Sequence, residues 1–159
     1  MKDALEDFRR TIEEASTWLL AMTEEESERR RAEGKWSAKE IVGHLIDSAA
    51  NNHQRFVRAQ FTDDLLFPGY NQEQWVQSQR YHQASWPQLV GLWRAYNLHL
   101  LHVAAGVPEE ALKKSRARHS LQQIAWRTVN EDEPTTLEYL IRDYIGHLKH
   151  HLAQIFESA

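Results

Sequence analysis

Along four long stretches of this 159-residue chain, apolar residues recur at spacings of three and four, and almost nowhere do they alternate. That period belongs to helices with one buried face, so the chain is expected to pack helix on helix. Each stretch carries its own start signal. Asp3 followed by Glu6 opens a helix through Leu5, Phe8, Ile12, Ala15, Leu19 and Met22. Ser37 with Glu40 makes a capping box, and Trp36 with Ile41 its hydrophobic staple. Ser85 with Gln88, and Pro87 in the first turn, opens a third helix through Leu89, Leu92, Trp93, Tyr96 and Leu100. Thr135 with Glu138, just after Pro134, opens a fourth through Leu137, Leu140, Tyr144, Leu148 and Ile155.

Between these lie two less regular segments. Residues 61–81 contain Pro68-Gly69-Tyr70-Asn71, a turn-like crossover, followed by a short helix from Gln72 to Gln79. Residues 113–134 mix basic, apolar and acidic side chains, and an extended piece is expected around Leu121 to Val129. No repeat or low-complexity linker divides the chain. The expectation is one domain over residues 1–159, an all-α four-helix bundle of up-down type with a long crossover.

Composition narrows the chemistry. The formal net charge of −4 gives no basic field for phosphate backbones, so nucleic acid is not expected as the principal partner. Arg29, Arg30 and Arg31 sit among glutamates and read as a solvated mixed-charge surface. The absence of cysteine excludes disulfides, thiolate metal sites and cysteine nucleophiles, so any metal must be held by nitrogen and oxygen. The N-terminus shows no apolar signal core and no segment suits a membrane span, so a cytoplasmic location is expected. Bundles of this size commonly dimerise, which makes a homodimer an expectation too.

Chemistry is concentrated in the histidines. His147, His150 and His151 fall within five residues, and His44 follows the capping box. On a helical wheel with His147 at zero, Leu140, Tyr144, Leu137, Ile155, Ile141 and Leu152 occupy an arc from roughly +20° to +140°. His151, at about +40°, lies inside that arc, whereas His150, at about −60°, lies outside it near Asp143. The pair one turn apart therefore faces the interior, and His150 is its neighbour. On the earlier helix His44 again borders the apolar stripe, with Ser48, Asn51 and Arg55 within about 40° of it as a polar column. Buried polar groups need partners, so this column points to a polar pocket between the second and last helices.

Three neutral imidazoles converging there suit Zn²⁺ or Ni²⁺ and leave a coordination position for water or substrate. Asp143 is a candidate to orient an imidazole through its other nitrogen. Arg55 is a candidate partner for an anionic substrate group, or for a structural ion pair. The bland readings stand beside these: helical histidines at i and i+4 also occur on surfaces, and a histidine at a helix edge is often merely satisfied. His53, His82, His99, His102 and His119 are expected to be structural or exposed, and Trp75, Trp86, Trp93 and Trp126 to be core or rim packing.

Three segments carry a resemblance: residues 35–47, with Trp36-Ser37-x-x-Glu40-x-x-x-His44; residues 67–72, Phe-Pro-Gly-Tyr-Asn-Gln; and residues 143–155, with His147-x-x-His150-His151-x-x-Gln154-Ile155. In these the chain resembles the DinB/YfiT-like superfamily of helical-bundle proteins. The resemblance implies a bundle fold and one divalent metal on His44, His147 and His151. It also implies metal-dependent enzymes, several of which use a low-molecular-weight thiol such as bacillithiol, mycothiol or glutathione in transferase or isomerase chemistry. Relatives often carry Asp in the crossover beside the aromatic that is Tyr70 here, where this chain has Asn71. Asn carries no charge and is no base at neutral pH.

Three functions follow as expectations, each with a small-molecule partner. The first is a metal-dependent thiol transferase. The second is a metal-dependent hydrolase, for which Asp47, about −60° from His44, is the candidate general base. The third is a non-catalytic metal- or ligand-binding stress protein.

Overall fold

Four long helices supply most of the buried interior, and the connections, with their short elements, add Leu65, Val76, Tyr81, Leu112 and Leu121 to it. The computed structural model describes residues 1–156. Helix α1 spans Lys2–Ala21, α2 Glu24–Glu28, α3 Ala38–Arg58, α4 Gln72–Gln79, α5 Trp86–Ala105, α6 Glu109–Lys113, α7 Leu121–Ile124 and α8 Leu137–Phe156. A single 3₁₀ turn covers Tyr81–Gln83. Among the described residues there is no β-strand, only isolated bridges such as Leu65 with His119 and Arg116 with Thr135. No described helix is long and apolar enough to cross a membrane.

The expected four-helix bundle is present as α1, α3, α5 and α8. Helix α1 packs on α5 and α8, and α3 packs on the same two, so α1 and α3 face each other across the diagonal. The connections at 22–37 and 106–136 therefore each cross the bundle. At the centre Tyr144 meets Phe8 and Phe56 edge-on, with ring centroids 5.9 and 5.8 Å away. Its hydroxyl donates to Asn97 Oδ1 at 2.5 Å, which satisfies the one polar atom of a ring buried in the core.

Local signals are kept in part. Ser37 and Glu40 form the capping box that opens α3, and α4 covers the expected Gln72–Gln79. Other starts differ. Asp3 lies inside the first turn of α1, whose N-cap is Met1. Ser85 precedes α5 without bonding through its side chain; the Glu24 carboxylate instead accepts the Trp86 backbone N–H at 3.1 Å. The last helix is capped by Thr136, whose hydroxyl accepts from Tyr139 N–H at 3.1 Å. Thr135 is drawn off into paired backbone bonds with Arg116, at 2.8 and 3.0 Å.

The segment expected to be extended, Leu121 to Val129, starts instead as a helix. Its first residues form the helical turn α7, and extension appears earlier, where Leu65 pairs with residues 118–120. Ser120 fixes that junction by accepting from Phe67 N–H and donating to Phe67 C=O, both at 2.9 Å. His119 is structural: one ring nitrogen meets the Glu133 carbonyl at 2.8 Å and the other accepts from Leu121 N–H at 3.2 Å. These bonds hold residues 65–71 and 120–127 together over one side of the bundle, between α3 and α8.

Candidate metal centre

The capping box fixes where α3 begins and so where His44 points. His44 is 1% exposed, and the ring of Trp36 lies against it with centroids 5.1 Å apart. From α8, the rings of His147 and His151 stand 5.2 and 4.7 Å from that of His44. One nitrogen from each of the three lies within 4.8 Å of the others. His44 Nε2 and His147 Nε2 lie 3.2 Å apart.

Burial sets the protonation state. Loss of hydration, reinforced by neighbouring imidazoles, pushes His44 down to about 3 and His147 to about 2. The same cause lowers His151, opposed by its bond to Gln154. All three rings are thus neutral at pH 7 and keep a lone pair. Tetrahedral coordination with metal–nitrogen bonds of ~2.05 Å would place ligand nitrogens ~3.3 Å apart. The donor set and the 3.2 Å approach fit a divalent ion of the borderline class.

The other nitrogens are held unequally. Gln154 Oε1 accepts from His151 Nδ1–H at 2.9 Å, leaving Nε2 as the lone-pair atom. The Gln154 amide also donates to His150 Nε2 at 3.2 Å. Ser48 Oγ lies 3.4 Å from His147 Nδ1. Nδ1 of His44 is buried without a partner.

These histidines open onto a cleft of about 640 Å³ between α3, α8 and the segments 69–73 and 123–126. Ser48, Arg55, Tyr70, Asn71, Asp143 and His150 line it. Asn51 does not: its amide turns back onto the Asp47 carbonyl at 2.9 Å, and Asn52 takes its place in the wall. Asn71 caps α4 by accepting from Gln74 N–H at 3.0 Å, a role its amide fills without charge. Tyr70 packs on Trp75, and burial pushes its hydroxyl up to about 12, so it stays protonated.

Two carboxylates behave differently from expectation. Asp143 orients no imidazole; its two oxygens accept the backbone N–H groups of Trp126 and Arg127, each at 2.8 Å. It thereby fixes the loop over the cleft, where Trp126 stacks on His150 with centroids 5.4 Å apart. Gly146 permits this cover, because a Cβ there would lie 2.9 Å from the Trp126 ring.

Asp47, the candidate base, does not line the cleft. Its Oδ1 accepts from Tyr81 O–H at 2.7 Å and Gln79 Nε2–H at 2.6 Å, binding the end of α4 to α3. Arg80 makes this possible by ending α4 in the left-handed conformation, with φ 51°. Helix periodicity does not reveal Gln79, Tyr81, Asn52 or Trp126. Gln154 alone had a local signal, three residues after His151 on the same helix.

A sequence model of the DinB superfamily matches residues 7–155, which is nearly the whole chain. The chain belongs to the DinB superfamily. A protein of Oceanobacillus iheyensis, named as a candidate metal-dependent hydrolase, is 26% identical over 82 residues, covering 47% of each chain. The aligned region thus spans about half of that relative's length. Among solved structures, YfiT of Bacillus subtilis superposes with a TM-score of 0.76 at 20% identity, over 99% of this chain and 86% of its own. YfiT is described as a probable metal-dependent hydrolase with an unusual four-helix bundle topology. At that identity the likeness establishes the fold.

Proposed function

We propose that this protein is a metal-dependent enzyme of small-molecule chemistry, with one divalent ion, Zn²⁺ or Ni²⁺, on His44, His147 and His151. The observation that carries this is the meeting of three neutral imidazoles on the wall of an open polar cleft. A bound ion would supply Lewis acidity, at its open position, to a thiol or a water molecule.

Transfer involving a low-molecular-weight thiol is the favoured reaction, because the cleft offers little carboxylate base. Of the carboxylates lining it among the described residues, Asp143 is committed to two backbone N–H groups. Glu73 is the other, exposed on α4. A thiol that coordinates a metal loses its proton without help from a carboxylate, which suits this wall. The chain's own part is to bind the thiol's partner in the cleft, with Trp126 covering the mouth and Tyr70 donating a hydrogen bond.

Hydrolysis is the second reading, favoured by the names its two relatives carry. In it His150, exposed on the cleft wall, takes a proton once its Nε2 leaves the Gln154 amide. Thermal shift of the Zn²⁺-loaded and metal-free protein with glutathione and other cellular thiols separates the two. The transferase reading expects a thiol that stabilises the loaded form more than the metal-free form. No such thiol, together with thiol-independent ester turnover lost in His44→Ala, establishes hydrolysis instead.

A further inference from the structure

Arg55 is 5% exposed, lines the same cleft as the histidines, and has no carboxylate within ion-pair distance among the described residues. A guanidinium has five N–H donors. Arg55 uses two of them, at length, on Pro68 C=O at 3.2 Å and Asn52 Oδ1 at 3.4 Å. The other deeply buried cations are satisfied differently. Lys39 is paired with Glu24 and Glu28, and Arg116 donates to the carbonyls of Ala59, Ala111 and Lys114, with its Nε alone left without a partner. A buried charge without a counter-ion is costly, and that of Arg55 borders an open cavity.

Its position relative to the histidines is set by the helix. Eleven residues separate Arg55 from His44, about 20° apart on the α3 wheel and ~16 Å along its axis. Ser48 and Asn52 lie between them on the cleft wall. The protonated Tyr70 hydroxyl is a further donor in the same cavity. The cleft therefore has a lone-pair cluster at one place and a fixed, forked cation three helical turns away.

We propose that Arg55 is an anion anchor that takes a carboxylate of the substrate or cosubstrate in a forked pair, while the reacting end of that molecule lies at the histidines. A carboxylate matches the planar, two-pronged donor set, and it supplies the counter-charge that the protein itself withholds. The proposal names the substrate class of the metal-dependent reading and rests on it for the placement of the reacting end.

The probes are ω-mercaptoalkanoates of increasing chain length, each compared with the ω-mercaptoalkanol of the same length. Calorimetric Kd values are measured on Zn²⁺-loaded and metal-free protein. At the best length the carboxylate is expected to bind about tenfold tighter or more than the alcohol. Arg55→Gln should erase that preference and leave alcohol binding unchanged, while Arg55→Lys should keep part of it. A preference that survives Arg55→Gln in protein of wild-type helicity overturns the proposal. So does wild-type protein that shows no preference at any length, an outcome that does not depend on how the variants fold. Failure of the metal reading is seen separately: metal removal then leaves both series unchanged in affinity while the carboxylate preference persists.

Discussion

A Cβ added at Gly43 would lie 2.1 Å from the Tyr81 ring, which rests directly on the backbone of α3. From there the Tyr81 hydroxyl reaches Asp47, one turn further along the same helix face. The glycine, the tyrosine and the aspartate make one joint, and the joint holds α4 against the helix that carries His44.

Gly43→Ala is therefore expected to destabilise the protein by about 1–3 kcal/mol through overpacking. This runs against the helix propensity of alanine, which alone would stabilise by about 1 kcal/mol. Urea unfolding measures the sign. A variant as stable as wild type would show that the ring yields cheaply and that the joint matters little.

Stability without metal should fall as pH drops below about 6.5. The folded-state values of His44 and His147 are depressed, so the unfolded chain binds protons that the folded chain refuses. Stability is then fully present above the unfolded value near 6.5 and is lost as pH falls toward about 3, by up to about 1.4 kcal/mol per pH unit for each such histidine. Urea unfolding of metal-free wild type and His44→Gln between pH 5 and 7.5 isolates the effect from the carboxylates. The variant should show the shallower dependence, and equal slopes would refute the burial argument.

Asp143→Asn tests a role that lies in the loop rather than at the histidines. An amide offers one accepting oxygen where the carboxylate serves two N–H groups. The expected result is a loss of about 1–3 kcal/mol and faster hydrogen exchange at residues 126 and 127, with the metal content of the protein unchanged. Normal exchange with loss of metal would restore the carboxylate to the imidazoles.

Gln154→Ala should weaken Zn²⁺ binding about 10- to 100-fold, as loss of outer partners of metal ligands does, because His151 Nδ1–H then lacks its acceptor. Competition against a chromophoric chelator measures it. Unchanged affinity would mean that packing alone orients His151.

Much of this centre was legible because it is periodic. His44 and His147 sit at the edges of apolar stripes and His151 inside one, and the Ser37–Glu40 box and the Gln72–Gln79 helix are spelled out within a few residues. Partners across the chain were not legible. Asp143 looks toward a histidine on the wheel but is claimed by backbone N–H groups sixteen and seventeen residues earlier. Asp47 looks like a base until Tyr81 arrives from another segment. Asn51 and Asn52 differ by only one step of the helix, and the cleft lies on the core side of the polar column, which selects Asn52. The choice of Thr136 over Thr135 as the cap likewise depends on Arg116, a non-local partner.

Elemental analysis of the purified protein is the most direct test of the centre. About one divalent ion per chain is expected, lost in His44→Ala, His147→Ala and His151→Ala and kept in His150→Ala. A protein without metal after metal-replete expression, or one whose metal survives all three substitutions, would contradict the three-histidine assignment.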